Sequence, residues 1–206
     1  MTRHALITLC LLTSACVPWT TRPIATQAEP SSISPAAYVE SLWASKLVPR
    51  ILNDSVDART LLNTLAASPE NHGRREGEGP AYFLVKGRGV VLRVDSTSRN
   101  GLALVDIAPL DGRPDLSIQI GPVLRGSSLR DATGLIKFSD FVNQLQFADA
   151  GNELNDRVLR TVLANLDRTT LPGKTVSFAG TLAAEGQGEP PLRGLVPVQL
   201  TVEGTR

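Results

Sequence analysis

Read from the N-terminus, the apolar positions change their spacing more than once. A short unbroken apolar run, Ala5 to Leu12, comes first. Val17 to Ser34 follows without periodicity, carrying Pro23 and Pro30 among Thr, Ser, Ala and Gln, and reads as a tether. Ser34-Pro35 then has the form of an N-cap with Pro at the first helical position. Tyr38, Leu42, Trp43 and Leu47 fall on one helical face, until Pro49 ends the run or bends it. A second short helix is predicted from Asp54 or Ser55, burying Leu61, Leu62 and Leu65. The polar, Gly-rich run that ends at Gly79 is a linker or exposed loop.

From Pro80 the period becomes that of strands. Ala81 to Asp95 is one long β-rich stretch with Gly87 and Gly89 in its middle, where a bulge or sharp bend is expected. Leu102 to Ala108 and Leu116 to Ile120 read as two further strands, joined by a turn holding Asp111-Gly112. Ser139 is placed to cap a helix through Phe147, and Leu154, Val158, Val162 and Leu166 predict a stronger helix from about Asn152 to Asp167. Pro172-Gly173 stops it, and Thr175 to Leu182 and Leu195 to Val202 are the last strands.

The order is strand, strand, strand, helix, strand, strand. An α+β chain with that order fits an OB-like, five-stranded, partly open β-barrel with an N-terminal helical segment. A bent first strand can serve both halves of such a barrel. The rival is an α+β sheet with helices on one face, which shares the element list. In a barrel of this kind the ligand surface is the face of strands two and three. It would be flanked by the loop after strand one and by the loop AAEGQGEPPLRG.

The N-terminal run changes the picture of where the chain works. Arg3, the apolar run and the small residues Thr13-Ser14-Ala15 form a secretory signal. The run is far shorter than the roughly 20 residues of a spanning helix. Cys16 follows directly, and the segment resembles a bacterial lipobox, with Thr13 where Leu is usual and Leu12 one place earlier. Cys16 is therefore the expected lipidation site, the rival being plain cleavage after Ala15 that leaves a free thiol. Val17 after the Cys, rather than Asp, leans towards outer-membrane sorting. The expected division is residues 1–15 signal peptide, 16–34 lipidated N-terminus and tether, 35–68 helical segment, 69–79 linker and 80–206 OB-like domain.

Composition narrows the chemistry. The chain has 206 residues, 21 Lys and Arg against 20 Asp and Glu, two Cys and two His. Loss of residues 1–15 removes Arg3, His4 and Cys10, leaving no net charge, one Cys and one His. A neutral, secreted chain with nine aromatic residues offers no basic, stacking surface for nucleic acid. His72 lies in the polar linker and Cys16 is the anchor, so nucleophilic catalysis through His or Cys is not expected. The acidic residues Asp131, Asp140, Asp149, Glu153 and Asp156 leave a carboxylate-dependent, carbohydrate-acting envelope enzyme as the alternative. Asp106, Asp111 and Asp115 lack the spacing of a calcium loop and read as a hairpin turn. No metal and no cofactor are expected.

The candidate site follows strand three. Arg125 and Arg130, among Gly121, Pro122 and Gly126, can form bidentate bonds to a carboxylate or to vicinal hydroxyls. The competing reading is a structural clamp, in which they pair with Asp131, Asp140 or helix carbonyls. Gln119, Asp131, Asn143 and Gln144 complete the candidate ligand- or partner-binding set, with Asn155 able to line the same pocket or to cap a loop.

Several motifs add a family resemblance. They are Phe83-Leu84-Val85-Lys86-Gly87, the run Ile118 to Gly126, Leu129-Arg130-Asp131-Ala132, Phe138 to Gln144, Leu154 to Val158 and Gly173 to Phe178. Together with Tyr38 to Trp43 they resemble the predicted periplasmic lipoproteins often encoded beside sugar ABC transporters. That resemblance implies a membrane-tethered periplasmic accessory or binding protein, acting without catalysis alongside transporter components or a solute-binding protein.

Overall fold

The computed structural model describes residues 34–67, 73–75, 79–184 and 191–204. The signal segment, Cys16, the tether and His72 lie outside the described residues. From Ser32 onward the chain forms one compact unit.

α1 (Pro35–Leu42) and α2 (Val48–Asp54) continue one another through five π-helical residues, Trp43–Leu47. Ser34 caps the start, its Oγ accepting from the Ala37 N–H at 3.3 Å. Pro49, expected to end or bend the run, sits instead in the first turn of α2. A proline removes one N–H and crowds the carbonyl four residues back. The wider turn just before it, with the Val48 N–H reaching Trp43 O, accommodates both. The second helix also starts later than expected. A two-residue strand, β1 (Val56–Asp57), intervenes, and the Asp57 carboxylate accepts the Arg59 and Thr60 N–H groups at 3.0 and 3.1 Å. α3 (Ala58–Ala67) follows, with Leu61 and Leu62 buried.

β2 (Ala81–Asp95) is the hinge of the barrel. Its first part, Ala81 to Val90, runs antiparallel to β5 (Thr175–Ala184), and Gly89 to Asp95 runs antiparallel to β3 (Leu102–Ile107). β3 pairs with β4 (Leu116–Gln119), β4 runs parallel to β6 (Leu192–Val202), and β6 returns antiparallel to β5. The order β2-β3-β4-β6-β5 closes on β2, a ring of five strands. Within the ring Val85, Val91, Val105, Leu116, Ile118, Phe178, Leu182 and Leu195 share one core. The register shift of β2 lies between Val91 and Arg93, past the glycines that suggested a bulge. Gly89 has another task. It pairs with both Ile107 and Val176, and a Cβ there would stand 2.4 Å from the Asp106 carbonyl oxygen. Only glycine lets the two neighbours approach where the strand changes partners.

The helices between β4 and β5 differ from the pattern-based expectation. Phe138–Asp140 is a single 3-10 turn rather than a helix capped by Ser139. α5 (Gln144–Thr161) begins behind Asn143, whose side chain accepts from the Gln146 N–H at 2.9 Å. The helix runs unbroken through Gly151 and ends before Val162. Val39, Trp43, Leu47 and Ile51 of the N-terminal helices join Leu154 and Val158 of α5 and Val196 and Val198 of β6 in a second core. The segment between α3 and β2 is partly tied to the sheet, since Arg74 exchanges backbone hydrogen bonds with Tyr82 at 2.8 and 2.7 Å.

Candidate functional site

A cavity of about 470 Å³ opens over β4, reaching β3 at Leu102, β5 at Ala183 and β6 at Arg193 and Gly194. Leu102 and the β4 side chains Ser117 and Gln119 form its floor, Asn100 approaches from the β2–β3 loop, and Arg125, Ser128 and Arg193 stand around it. That volume is within the range of small-ligand sites, roughly 300–1,000 Å³.

The floor is built by strand alternation. Leu116, Ile118 and Ile120 point into the barrel core, so Ser117 and Gln119 point the other way. Both are nonetheless buried, Ser117 to 1% and Gln119 to 5% exposure, and both hold hydrogen bonds. Gln119 Oε1 accepts the Arg125 N–H at 2.7 Å, while its Nε2 donates to Arg125 O at 3.0 Å and Gly194 O at 2.9 Å. Ser117 Oγ accepts the Gly194 N–H at 2.8 Å. Gln119 thus fixes the Arg125 backbone and leaves the exposed Arg125 side chain at the cavity.

Arg130 and Asp131 are a separate unit. They lie on α4 (Ser128–Asp131), where the guanidinium makes two bonds to the Asp131 carboxylate at 2.7 and 3.0 Å. It also donates to Phe147 O at 3.2 Å and lies 3.8 Å above the Phe147 ring. Asp131 is 5% exposed, and Arg130 does not line the cavity. The geometry is that of a clamp holding α4 to α5. Next to it, burial holds the Tyr82 phenol above its usual range, with the Asp131 charge adding to the effect and the Ser127 hydroxyl opposing it.

Asn143 and Gln144 are exposed at the start of α5 and do not line the cavity; Asn143 is the helix cap. Asn155 is buried under the Gly126 carbonyl, which accepts from its Nδ2 at 3.0 Å. Of the six candidates, the structure brings together Gln119 with Arg125, and Arg130 with Asp131. Sequence reasoning missed Ser117, Arg193, Gly194 and Asn100. The alternation of β4 could have pointed to Ser117 beside Gln119, but nothing local links either to Gly194.

Among the described residues, no Asp or Glu lines the cavity. Asp140 accepts from the Tyr38 hydroxyl at 2.8 Å and the Lys137 N–H at 2.9 Å. In the β3–β4 turn Asp106 Oδ2 holds the Gly112 N–H at 2.8 Å, and Asp115 holds the Ile107 N–H and an ion pair with Arg59 at 2.7 Å. Among the described residues no group of three or more His, Cys, Asp or Glu is arranged to hold a metal.

The ring of strands with its intervening helix defines an OB-fold. An OB-fold protein from Thermotoga maritima, solved by crystallography, has a similar structure, with a TM-score of 0.66 and 24% identity over 83% of this chain and 99% of that one. Residues 5–201 match the family described as predicted periplasmic lipoprotein (DUF2291), and the chain belongs to that family. No curated protein matches the chain.

Proposed function

We propose that the chain is a lipid-tethered periplasmic accessory protein that acts by binding rather than by catalysis, in the service of sugar uptake by an ABC transporter. It would either hold a small ligand in the cavity over β4 or use that surface to touch a solute-binding protein or permease. The cavity carries this reading. Its floor side chains are locked to backbone groups, and Arg125 at its edge offers a forked, permanently charged donor. Such a surface suits recognition of carboxylates or vicinal hydroxyls, and no paired carboxylates face it. The transporter link rests on the family resemblance.

Cys16 is the proposed anchor, with Val17 favouring the outer membrane. Each buried CH₂ of an acyl chain contributes about 0.8 kcal/mol, and several chains on one Cys hold a protein stably. Crosslinking and pull-down of the intact protein from native membranes tests the reading. Transporter or solute-binding components are expected with the wild-type chain, and less of them with Arg125→Ala, whose exposed side chain leaves the fold intact. Recovery of none of these components overturns it, as does turnover of oligosaccharides that vanishes on substituting one acidic residue.

A further inference from the structure

Among the described residues, six large apolar side chains are exposed, and three of them, Phe138, Val142 and Leu145, lie within eight positions of the chain. They are 52%, 45% and 69% exposed. Single exposed apolar residues are ordinary, whereas a cluster marks a contact surface. Neighbouring groups hold Phe138 and the backbone between Val142 and Leu145. Phe138 stands edge-on to Phe147 at 5.7 Å, Phe147 meets Phe141 at 5.7 Å, and Phe141 meets Tyr38 at 5.0 Å. The Asn143 cap and the Gln146 side chain, which accepts from the Val142 N–H at 3.3 Å, fix the backbone between Val142 and Leu145.

The place of the cluster in the fold says what covers it. The Tyr38 hydroxyl donates to Asp140, so the first turn of α1 rests on the turn that carries Phe138. Pro35 lies three residues before Tyr38, about 5 Å along a helix. The chain that leads back to Cys16 therefore leaves the described fold beside the cluster. Eighteen residues separate Cys16 from Pro35. A chain of that length reaches at most about 60 Å when fully extended. A domain of this size is about 40 Å across. On the lipid-anchor reading, the face at which the chain towards Cys16 departs is the one nearest the anchor along the chain. Residues 137–145 carry one Lys and one Asp, and the Asp140 carboxylate is already engaged by Tyr38 and the Lys137 N–H. Little charge would need to be desolvated there.

We propose that Phe138, Val142 and Leu145 dock the domain on the phospholipid surface in which the Cys16 acyl chains are anchored. The inference rests on the lipid-anchor reading above. It makes the chain a domain seated on the membrane by a second contact, with the cavity over β4 held at a defined orientation to the bilayer.

The test uses the full lipidated chain reconstituted in vesicles of phosphatidylethanolamine and phosphatidylglycerol. Leu145→Cys and, as a control, Leu110→Cys on the exposed β3–β4 turn each carry one environment-sensitive fluorophore. Cys10 leaves with the signal and Cys16 is acylated, so each variant has a single reactive thiol. The probe at 145 is expected to shift to the blue and to be quenched severalfold more by brominated acyl chains than the probe at 110, at every protein-to-lipid ratio. A probe at 145 that stays aqueous while the protein floats with the vesicles overturns the docking and leaves the anchor standing. A shift that appears only at high protein density also overturns it, assigning the cluster to a second copy of the chain. A protein that fails to float and labels at two thiols overturns the anchor reading and the docking together.

Discussion

Gln119→Leu isolates what the cavity floor contributes to the fold. The substitution keeps the volume approximately and removes three hydrogen bonds, to Arg125 N, Arg125 O and Gly194 O. Each such bond contributes about 1 kcal/mol net, and a buried group left without a partner costs about 1–3 kcal/mol. Gln119 itself is 5% exposed, but Arg125 is at the surface, so water recovers part of the loss on that side. The expected destabilisation is about 2–4 kcal/mol. For a chain of 150–250 residues each kcal/mol moves Tm by roughly 2–4 °C, so the midpoint should fall by about 4–16 °C. Differential scanning calorimetry with urea titration at constant m-value gives the number. Arg125→Ala in parallel should leave Tm nearly unchanged, since that side chain makes no contribution to the Gln119 bonds. A Gln119→Leu protein melting within a degree or two of wild type would refute the structural role of these three bonds and leave Gln119 as a ligand-facing side chain.

Two further outcomes follow from the geometry. Gly89→Ala places a Cβ 2.4 Å from a backbone oxygen and 2.6 Å from Val105 Cγ1, neither able to yield without parting β2 from β3. Overpacking of this kind costs about 1–3 kcal/mol or more, read as a lower urea midpoint. Burial, then the Asp140 hydrogen bond and charge, raise the Tyr38 phenol from 10.0 to about 12. Because the folded value is the higher one, the stabilisation is complete below pH 10 and is lost as pH rises through about 12. Wild-type stability should therefore fall across that window more steeply than that of Tyr38→Phe, as measured by urea midpoints at successive pH values.

The barrel was legible because its signals are local and redundant. β2 is a long apolar-rich run whose bounds match the structure, and its central glycines correctly marked a special place, though close approach rather than a bulge explains Gly89. The helices were harder to read. Gly151-Asn152 looks like a break, yet Gly151 is buried inside α5 with the Arg130 guanidinium passing 3.7 Å from its Cβ position. A Cβ there would meet the guanidinium at ordinary contact distance, so Gly151 is an interior position of the helix rather than its start. Asn143 followed three residues later by Gln146 was a capping signal available in the sequence and outweighed by Ser139. At Pro49 the pattern predicts a stop because a π-helical turn leaves no trace in apolar spacing. In the site, Gln119 and Arg125 are six residues apart and could be joined from sequence. Ser117 and Gly194 are 77 apart and meet only because β4 and β6 run parallel.

That parallel pairing explains why the cavity lies where it does. Between its paired positions β4 advances two residues, Leu116 to Ile118, while β6 advances three, Leu192 to Leu195. The extra residue must bulge, and Gly194 takes it at a φ of +69°, a conformation costly for any side chain. A bulge takes the N–H and C=O of Gly194 out of the strand ladder, and buried backbone groups must find other partners. Ser117 Oγ and Gln119 Nε2 supply them from β4. The polar floor of the cavity is thus a requirement of closing the barrel before it is a recognition surface. On the proposed binding function, recognition would fall to groups that closure does not use, Arg125 foremost, and these can vary without unfolding the ring. On the same proposal, a ligand seated on the floor would brace the β4–β6 seam and raise the thermal midpoint, because binding to the folded state alone stabilises it.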